Sequence, residues 1–274
     1  MKGVEIIANY SLKFTYDNIM SSDFGLILCS FENENQSNII SSSIELTTYK
    51  SPLSNRWFKY GYQYTDPIQF SITVGKYNDY KFKKLTKQEV GQINRWLMRT
   101  DGYHWFQFYD KKFGDIFFNC TAIKSEEVLI SSETYGIKYT FITDSPFAYS
   151  EIKEVYFVAT ENLKSFTIYD YSDDIGHLYP HTTIKLLEAG NLTLHNSIED
   201  RTITINNCSK GEIITMDGVY KNIHSSNTLH KLYDDFNWKY FRIANSFNNR
   251  ENVITTSLKC EITMNWREIR KVGV

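Results

Sequence analysis

His177 and His181 stand four residues apart with Asp173 and Asp174 just upstream, the side-chain types and spacing of a transition-metal site. On a helix that spacing would put both imidazoles on one face. Pro180 lies between them and Gly176 precedes them, so no helix presents the pair and a surface loop is expected. Asp110 and Asp115 flank a turn and could approach each other as the paired carboxylates of a glycoside hydrolase do. Aspartates are expected at a turn in any case, because their side chains bond the local backbone. No Gly-x-Ser-x-Gly elbow and no glycine-rich phosphate loop occurs, and His104 lies inside an aromatic strand pattern, where a packed ring is the ordinary role. Cys29, Cys120, Cys208 and Cys260 are far apart and never form Cys-x-x-Cys, so they read as core thiols of a reducing compartment. No metal, cofactor or catalytic group is expected, and the chain does not read as an enzyme.

The bulk composition points the same way. Hydrophobic residues make up 42% of 274, with 20 Tyr and 18 Phe, enough to fill two cores. The formal charge of −2, with no run of five basic residues, leaves no general attraction for nucleic acid or an anionic membrane. Sequence-specific nucleic-acid binding is therefore not expected. Residues 1–14 carry Lys2, Glu5 and Asn9 through their apolar stretch, which argues against a secretory core there. Nothing approaches the ~18 uninterrupted apolar residues of a membrane span, so no membrane insertion is expected either. Synthesis as a soluble cytoplasmic protein is the expectation.

The elements that would position these residues are strands, with one exception. Thr86-Lys87-Gln88-Glu89 is a capping box, and Val90, Ile93 and Leu97 recur behind it at helical spacing. The pattern predicts a helix near 87–99, closed by Gly102 in a left-handed conformation. Residues 103–109 follow as an aromatic strand, with His104, Phe106 and Phe108 on one face and Tyr103, Trp105 and Tyr109 on the other. Rings on both faces predict burial on both, in a core or an interface rather than as a ligand platform.

Residues 68–74 alternate with Ile68, Phe70, Ile72 and Val74 inward, and Ile137, Tyr139 and Phe141 share a face on a later strand. A strand over 24–31, a polar stretch over 32–43 and a strand from 44 to 49 read as a protruding hairpin arm. Asp144-Ser145-Pro146 ends the first domain, because proline cannot continue a central ladder. Domains are thus expected at 1–146 and 147–274. In the second, short strands recur every 8–12 residues, Asp217-Gly218 reads as a two-residue hairpin turn, and residues 259–267 alternate as the closing strand. The predicted fold is all-β with a single helix, in two β-sandwich domains.

Several segments, taken in order, resemble the phage distal tail protein family. Leu85-Thr86-Lys87-Gln88-Glu89 leading to Ile93-Asn94-Arg95-Trp96-Leu97 is similar to that family's helix. Asp144-Ser145-Pro146-Phe147-Ala148-Tyr149 resembles its junction between an amino-terminal ring-forming domain and a carboxy-terminal domain. Residues 211–217, 242–254 and 260–270 resemble its later hairpin, closing loop and last strand. The Gly176-His177-Leu178-Tyr179-Pro180 loop departs from a more glycine-rich turn, and no inserted sugar-binding module is present.

The resemblance implies a structural virion protein: a homo-hexameric ring at the tail tip, assembled in the host bacterial cytoplasm, with a galectin-like sandwich on the outside. Its implied partners are the tail tube protein, the tail-associated tip protein, and receptor-binding or baseplate proteins. Ring closure needs a head-to-tail contact, for which the 32–43 arm with Ile44, Leu46 and Tyr49 is the candidate interface. Galectin likeness does not bring sugar binding with it. His195-Asn196 and Arg201 have the wrong spacing for the galactose-binding strand, and Trp266, Glu268 and Arg270 form a motif one residue short. The alternatives are a carbohydrate-binding adhesin module acting without a ring, and a glycan hydrolase using the aspartates near 110–115.

Overall fold

The computed structural model describes residues 13–30, 42–79, 81–109, 115–246 and 248–271. The chain divides into two compact units, residues 1–149 with 270–274, and residues 150–269. The first unit runs β1 (Phe14–Tyr16), β2 (Ile19–Met20), β3 (Leu26–Leu28), β4 (Ile44–Lys50), β5 (Trp57–Tyr64), β6 (Gln69–Asn78), β7 (Lys81–Lys83), α1 (Lys87–Leu97), β8 (His104–Phe108), β9 (Phe118–Ile130) and β10 (Glu133–Thr143). An antiparallel sheet takes the order β2-β1-β8-β9-β10-β6-β3, with β7 also on β6, while β4 and β5 pair separately.

The alternation in β6 sets the inner face of this sheet. Ile68 just before the strand and Phe70, Ile72 and Val74 within it are buried, as are Ile137, Tyr139 and Phe141 on the neighbouring β10. The sheet then curls. Phe70 on β6 lies 5.4 Å from Phe106 on β8 although β10 and β9 stand between them in the strand order. At about 4.8 Å per strand a flat sheet would hold them roughly 14 Å apart. Tyr16 on β1 likewise reaches Phe141 on β10 at 5.6 Å. The two ends of the sheet therefore face each other across one aromatic core, in a sandwich-like arrangement.

Helix α1 closes the open side of that core. Thr86 accepts from the Glu89 backbone N–H at 3.2 Å, and Glu89 accepts from the Thr86 N–H at 2.8 Å, so the capping box forms as read from the sequence. A hydrogen bond from Lys76 on β6 also reaches Glu89 and, with the two Thr86 bonds, holds its carboxyl down at about 2. Ile93, Trp96 and Leu97 face inward. Trp96 stacks on Phe24 at 4.7 Å and Phe14 at 5.7 Å while its indole N–H donates to the Tyr16 carbonyl at 3.0 Å. The helix stops at Leu97, earlier than predicted, because Met98 caps it with φ −92° and ψ 52°. Gly102 adopts φ +131° four residues further on and is not the cap.

Three other expectations change. The strand foreseen over 24–31 shrinks to β3, since Ser21–Phe24 forms a short 3₁₀ turn that Gly25 ends with φ +66°. β4 does not form a hairpin with β3. It pairs with β5, where Phe58, Tyr60, Tyr62 and Tyr64 alternate with Lys59, Gly61 and Gln63, and β3 pairs with β6. The 32–41 stretch of the predicted arm lies outside the described residues. In β8, Phe106 and Phe108 are buried, but Tyr103 and Tyr109 at its margins stay about half exposed, so only one face of the aromatic strand is fully core.

The second unit runs β11 (Ala148–Ala159), β12 (Lys164–Tyr169), β13 (Gly176–Leu178), β14 (His181–Leu186), β15 (Gly190–Asn196), β16 (Arg201–Cys208), β17 (Ile213–Asp217), β18 (Asn222–Ser225), a one-turn α2 (Leu232–Asp235), β19 (Ile243–Asn245), β20 (Glu251–Thr256) and β21 (Cys260–Arg270). One sheet is β11-β21-β14-β17-β18 and the other β12-β20-β15-β16, with β13 and β19 paired apart. Ile184, Met216, Ile262 and Met264 from the first sheet and Ile168, Leu194, Ile203 and Ile254 from the second belong to one buried cluster, which makes this unit a β-sandwich. The β17–β18 turn is longer than the predicted two residues. Asp217 pairs with Asn222, and the Asp217 side chain accepts from the Val219 and Tyr220 N–H groups at 2.9 and 3.0 Å.

Trp96→Ala is expected to destabilise the protein by about 3–5 kcal/mol through loss of a buried aromatic and its hydrogen bond, whereas Thr86→Ala should cost about 1 kcal/mol through the cap alone. Urea denaturation of both variants measures this. Equal midpoints would mean that the helix, not the indole, closes the core.

Candidate assembly surface

β4 and β5 form a two-stranded ladder with Ile44 opposite Tyr64, Leu46 opposite Tyr62 and Tyr49 opposite Phe58, with a register shift at Thr47/Thr48. No other strand among the described residues joins them. Every residue of β4 is exposed, and Ile44, Leu46 and Tyr49 each keep 51% of their surface in contact with solvent. Strand alternation puts Ile44 and Leu46 on one face and Tyr49 on the other, so the ladder carries apolar side chains on both. Trp57, Phe58 and Tyr60 on β5 add to them, and Leu53 in the connection is fully exposed.

The root of this ladder is tied down. The Thr65 N–H donates to the Ser43 carbonyl at 3.1 Å, the Ser42 hydroxyl donates to the Asp66 carbonyl, and Tyr64 meets Phe147 edge-on at 4.7 Å. Further out, contacts within the ladder include the Tyr49 and Tyr60 rings at 6.4 Å and Lys59 over the Tyr62 ring at 4.9 Å. An isolated two-stranded ladder is marginal in water. A contiguous set of exposed aromatic and aliphatic side chains is the mark of a contact surface.

The residues that could have carried chemistry are dispersed or engaged elsewhere. His177 lies in β13 and binds Glu199 at 2.8 Å, which also takes two hydrogen bonds from Arg242 at 2.7 and 2.6 Å. His181 opens β14, opposite Asp217 and Asn265, so the two imidazoles sit on separate extended strands. No three His, Cys, Asp or Glu converge as a metal set among the described residues. Asp110 lies outside the described residues, which leaves Asp115 alone of that pair. His104 packs edge-on against Tyr16 at 5.6 Å and bonds Asp101 at 3.0 Å, the packed role read for it.

Buried polar groups in the second unit serve the fold. His195 meets the Thr202 hydroxyl at 3.0 Å, and Arg201 donates twice to the Tyr240 carbonyl at 3.3 Å. Asn196 is buried and donates to Asn252 at 2.8 Å, and Asn252 in turn exchanges hydrogen bonds with the Ala244 backbone at 2.9 Å. Glu268 is buried and accepts from the Tyr171 N–H at 3.3 Å, so the Trp266-Glu268-Arg270 face does not offer its carboxylate to a ligand. The four cysteines are free thiols. Burial pushes Cys29 up to about 12 and Cys208 to about 11, which keeps both unreactive.

Sequence reading missed Glu212, whose partners lie 3, 13 and 18 residues away in the chain and follow no periodic pattern. Its carboxylate is buried and accepts from the Ser209 N–H at 2.7 Å, the Ser225 hydroxyl and His230 Nδ1, which must therefore carry its proton. Burial alone would raise this carboxyl, but the three hydrogen bonds outweigh it and hold it below its ordinary value.

In sequence, residues 9–145 match a family described as phage tail protein N-terminal domain, and residues 147–266 a family described as phage tail C-terminal domain. No curated protein matches the chain. Among solved structures it is similar to the SPP1 Dit (gp 19.1) protein, whose structure is titled a paradigm of hub adsorption apparatus in Gram-positive infecting phages. The match has a TM-score of 0.62 at 10% identity and covers 93% of this chain and 98% of that one. At that identity the likeness establishes a shared fold.

Because the folded pKa of Glu212 lies below the unfolded one, its stabilisation is complete above about pH 4.5 and is lost as pH falls through the folded value. Glu212→Gln is expected to lower stability at neutral pH by about 1–3 kcal/mol and to flatten the acid limb of the stability curve. Thermal melts of both proteins from pH 7 to 3 read the difference, and an unchanged acid limb would remove Glu212 from the account.

Proposed function

Because the chain belongs to the phage tail protein family through both of its domains, we propose that this tail structural protein is the subunit of a hexameric hub at the distal end of the tail. The ring would join the tail tube protein on one side and the tail-associated tip protein on the other. Receptor-binding or baseplate proteins would attach through the C-terminal sandwich, read as galectin-like. The subunit works as a shaped building block without catalysis, is made in the host bacterial cytoplasm and resides at the tail tip.

The observation that carries the ring is the β4–β5 ladder. It leaves Ile44, Leu46 and Tyr49 in water on a pair of strands that no other strand among the described residues joins. Fully burying a side chain of this size stabilises by roughly 1.5–3 kcal/mol, so covering both faces with a neighbour offsets the entropy of ordering the hairpin. A closed ring repeats that contact once per subunit and leaves no copy of it exposed. A lone adhesin module would leave the same surface open.

Light scattering on the purified protein is expected to give six times the chain mass of 32.2 kDa, and negative-stain images an open ring. The double variant Leu46→Glu, Tyr49→Glu should elute as a folded monomer with unchanged circular dichroism. A wild-type protein that stays monomeric at tens of micromolar, or a double variant that still assembles, rejects the reading.

A further inference from the structure

A head-to-tail ring needs two different surfaces on each subunit, one that reaches out and one that receives. The β4–β5 hairpin supplies the first, and the free edge of β9 has the properties of the second. β8 pairs with β9 only at Phe118, Asn119 and Cys120. From Ala122 to Ile130 the sole strand beside β9, among the described residues, is β10. Burial changes at the same point: Phe118, Cys120 and Ala122 are core, whereas Ile123 is 50% and Leu129 58% exposed. A long open edge bearing apolar side chains is an aggregation hazard unless something pairs with it.

Length singles this edge out within the first unit. The outer strands β2, β3 and β7 offer two or three residues each, too few to receive β4 with seven or β5 with eight. The exposed run of β9 is long enough. Charge matches as well. Residues 46–62 contain Lys50, Arg56 and Lys59 and no Asp or Glu, and among the described residues none of the three cations has a carboxylate partner. The distal β9–β10 hairpin carries Glu126, Glu127 and Glu133 with Lys124 and Lys138, the last standing opposite Glu126 in the ladder. Lys124 pairs with Glu126 at 2.9 Å and Lys84 with Glu133 at 2.8 Å, while Glu127 takes only a hydrogen bond from the Thr134 hydroxyl at 2.6 Å.

We infer that the β4–β5 hairpin of one subunit seats along the free edge of β9 on the next copy of this chain. Its aromatic side chains cover Ile123 and Leu129, and its cations face Glu126 and Glu127. The inference rests on the ring reading and assigns the receiving surface within it. Backbone pairing along the edge supplies affinity, and the charges set which of the two hairpins lies on which.

Two charge-reversed proteins test the contact: Lys50→Glu, Arg56→Glu, Lys59→Glu, and Glu126→Lys, Glu127→Lys. Each alone is expected to weaken assembly by on the order of tenfold or more, with circular dichroism unchanged. An equimolar mixture should restore the hexamer, because each altered hairpin then meets an edge of opposite charge. A second measurement does not depend on charge. Tyr60→Cys combined with Leu129→Cys should give, on oxidation, a ladder of intermolecular cross-links ending at six chains. Single reversals that assemble like wild type, a mixture that stays dissociated, or an intact hexamer without cross-links would each overturn the inference while leaving the ring in place. A monomeric wild-type protein would overturn the ring itself and this contact with it.

Discussion

The first unit depends on closing one aromatic face. A sheet that curls until Phe70, Phe106, Phe141 and Tyr16 meet leaves an opening between its ends. Trp96 fills that opening, which is why a solitary helix exists in a chain of strands. Its indole contributes ring area on Phe14 and Phe24 and a donor for the Tyr16 carbonyl. The capping box and the Lys76–Glu89 pair fix where the helix begins, and hence where Trp96 falls. Local chemistry at residues 86–89 is thereby coupled to packing across the whole unit.

Having closed its core this way, the unit has apolar side chains left over. They are concentrated where strands run out beyond their neighbours: both faces of the β4–β5 ladder and the distal part of β9. Under the proposed ring these two overhangs form a complementary pair, aromatic and basic on one, aliphatic and acidic on the other. Pro52 at the hairpin tip is the one proline in β4–β5 or the segment joining them, and it does not interrupt either strand.

The second unit solves its packing with no helix longer than the single turn of α2. Two sheets bury a common aliphatic core, and polar groups that enter it bond one another: Asn196 with Asn252, and Glu212 with Ser209, Ser225 and His230. Hydrogen bonds of this kind, spanning from 3 to 56 positions of the chain, pin the loops that join the sheets. The histidines and carboxylates that composition alone would offer for chemistry are consumed by this work, as the His177–Glu199–Arg242 set illustrates.

Periodicity made much of the fold legible. The capping box located α1, the period of two in residues 68–74 and 137–141 named core positions, and turn residues marked strands through the second half. These features are local, since a side chain's direction follows from its position along its own strand or helix. Partner choice is not local. That β4 pairs with β5 and not β3, and that Glu212 gathers Ser225 and His230, depend on which segments the fold brings together. Ile44, Leu46 and Tyr49 were legible as apolar, yet only the tertiary structure decided that they stay in water. Hydrophobicity records a tendency to be buried, whereas what does the burying is settled by which edges the rest of the chain leaves open.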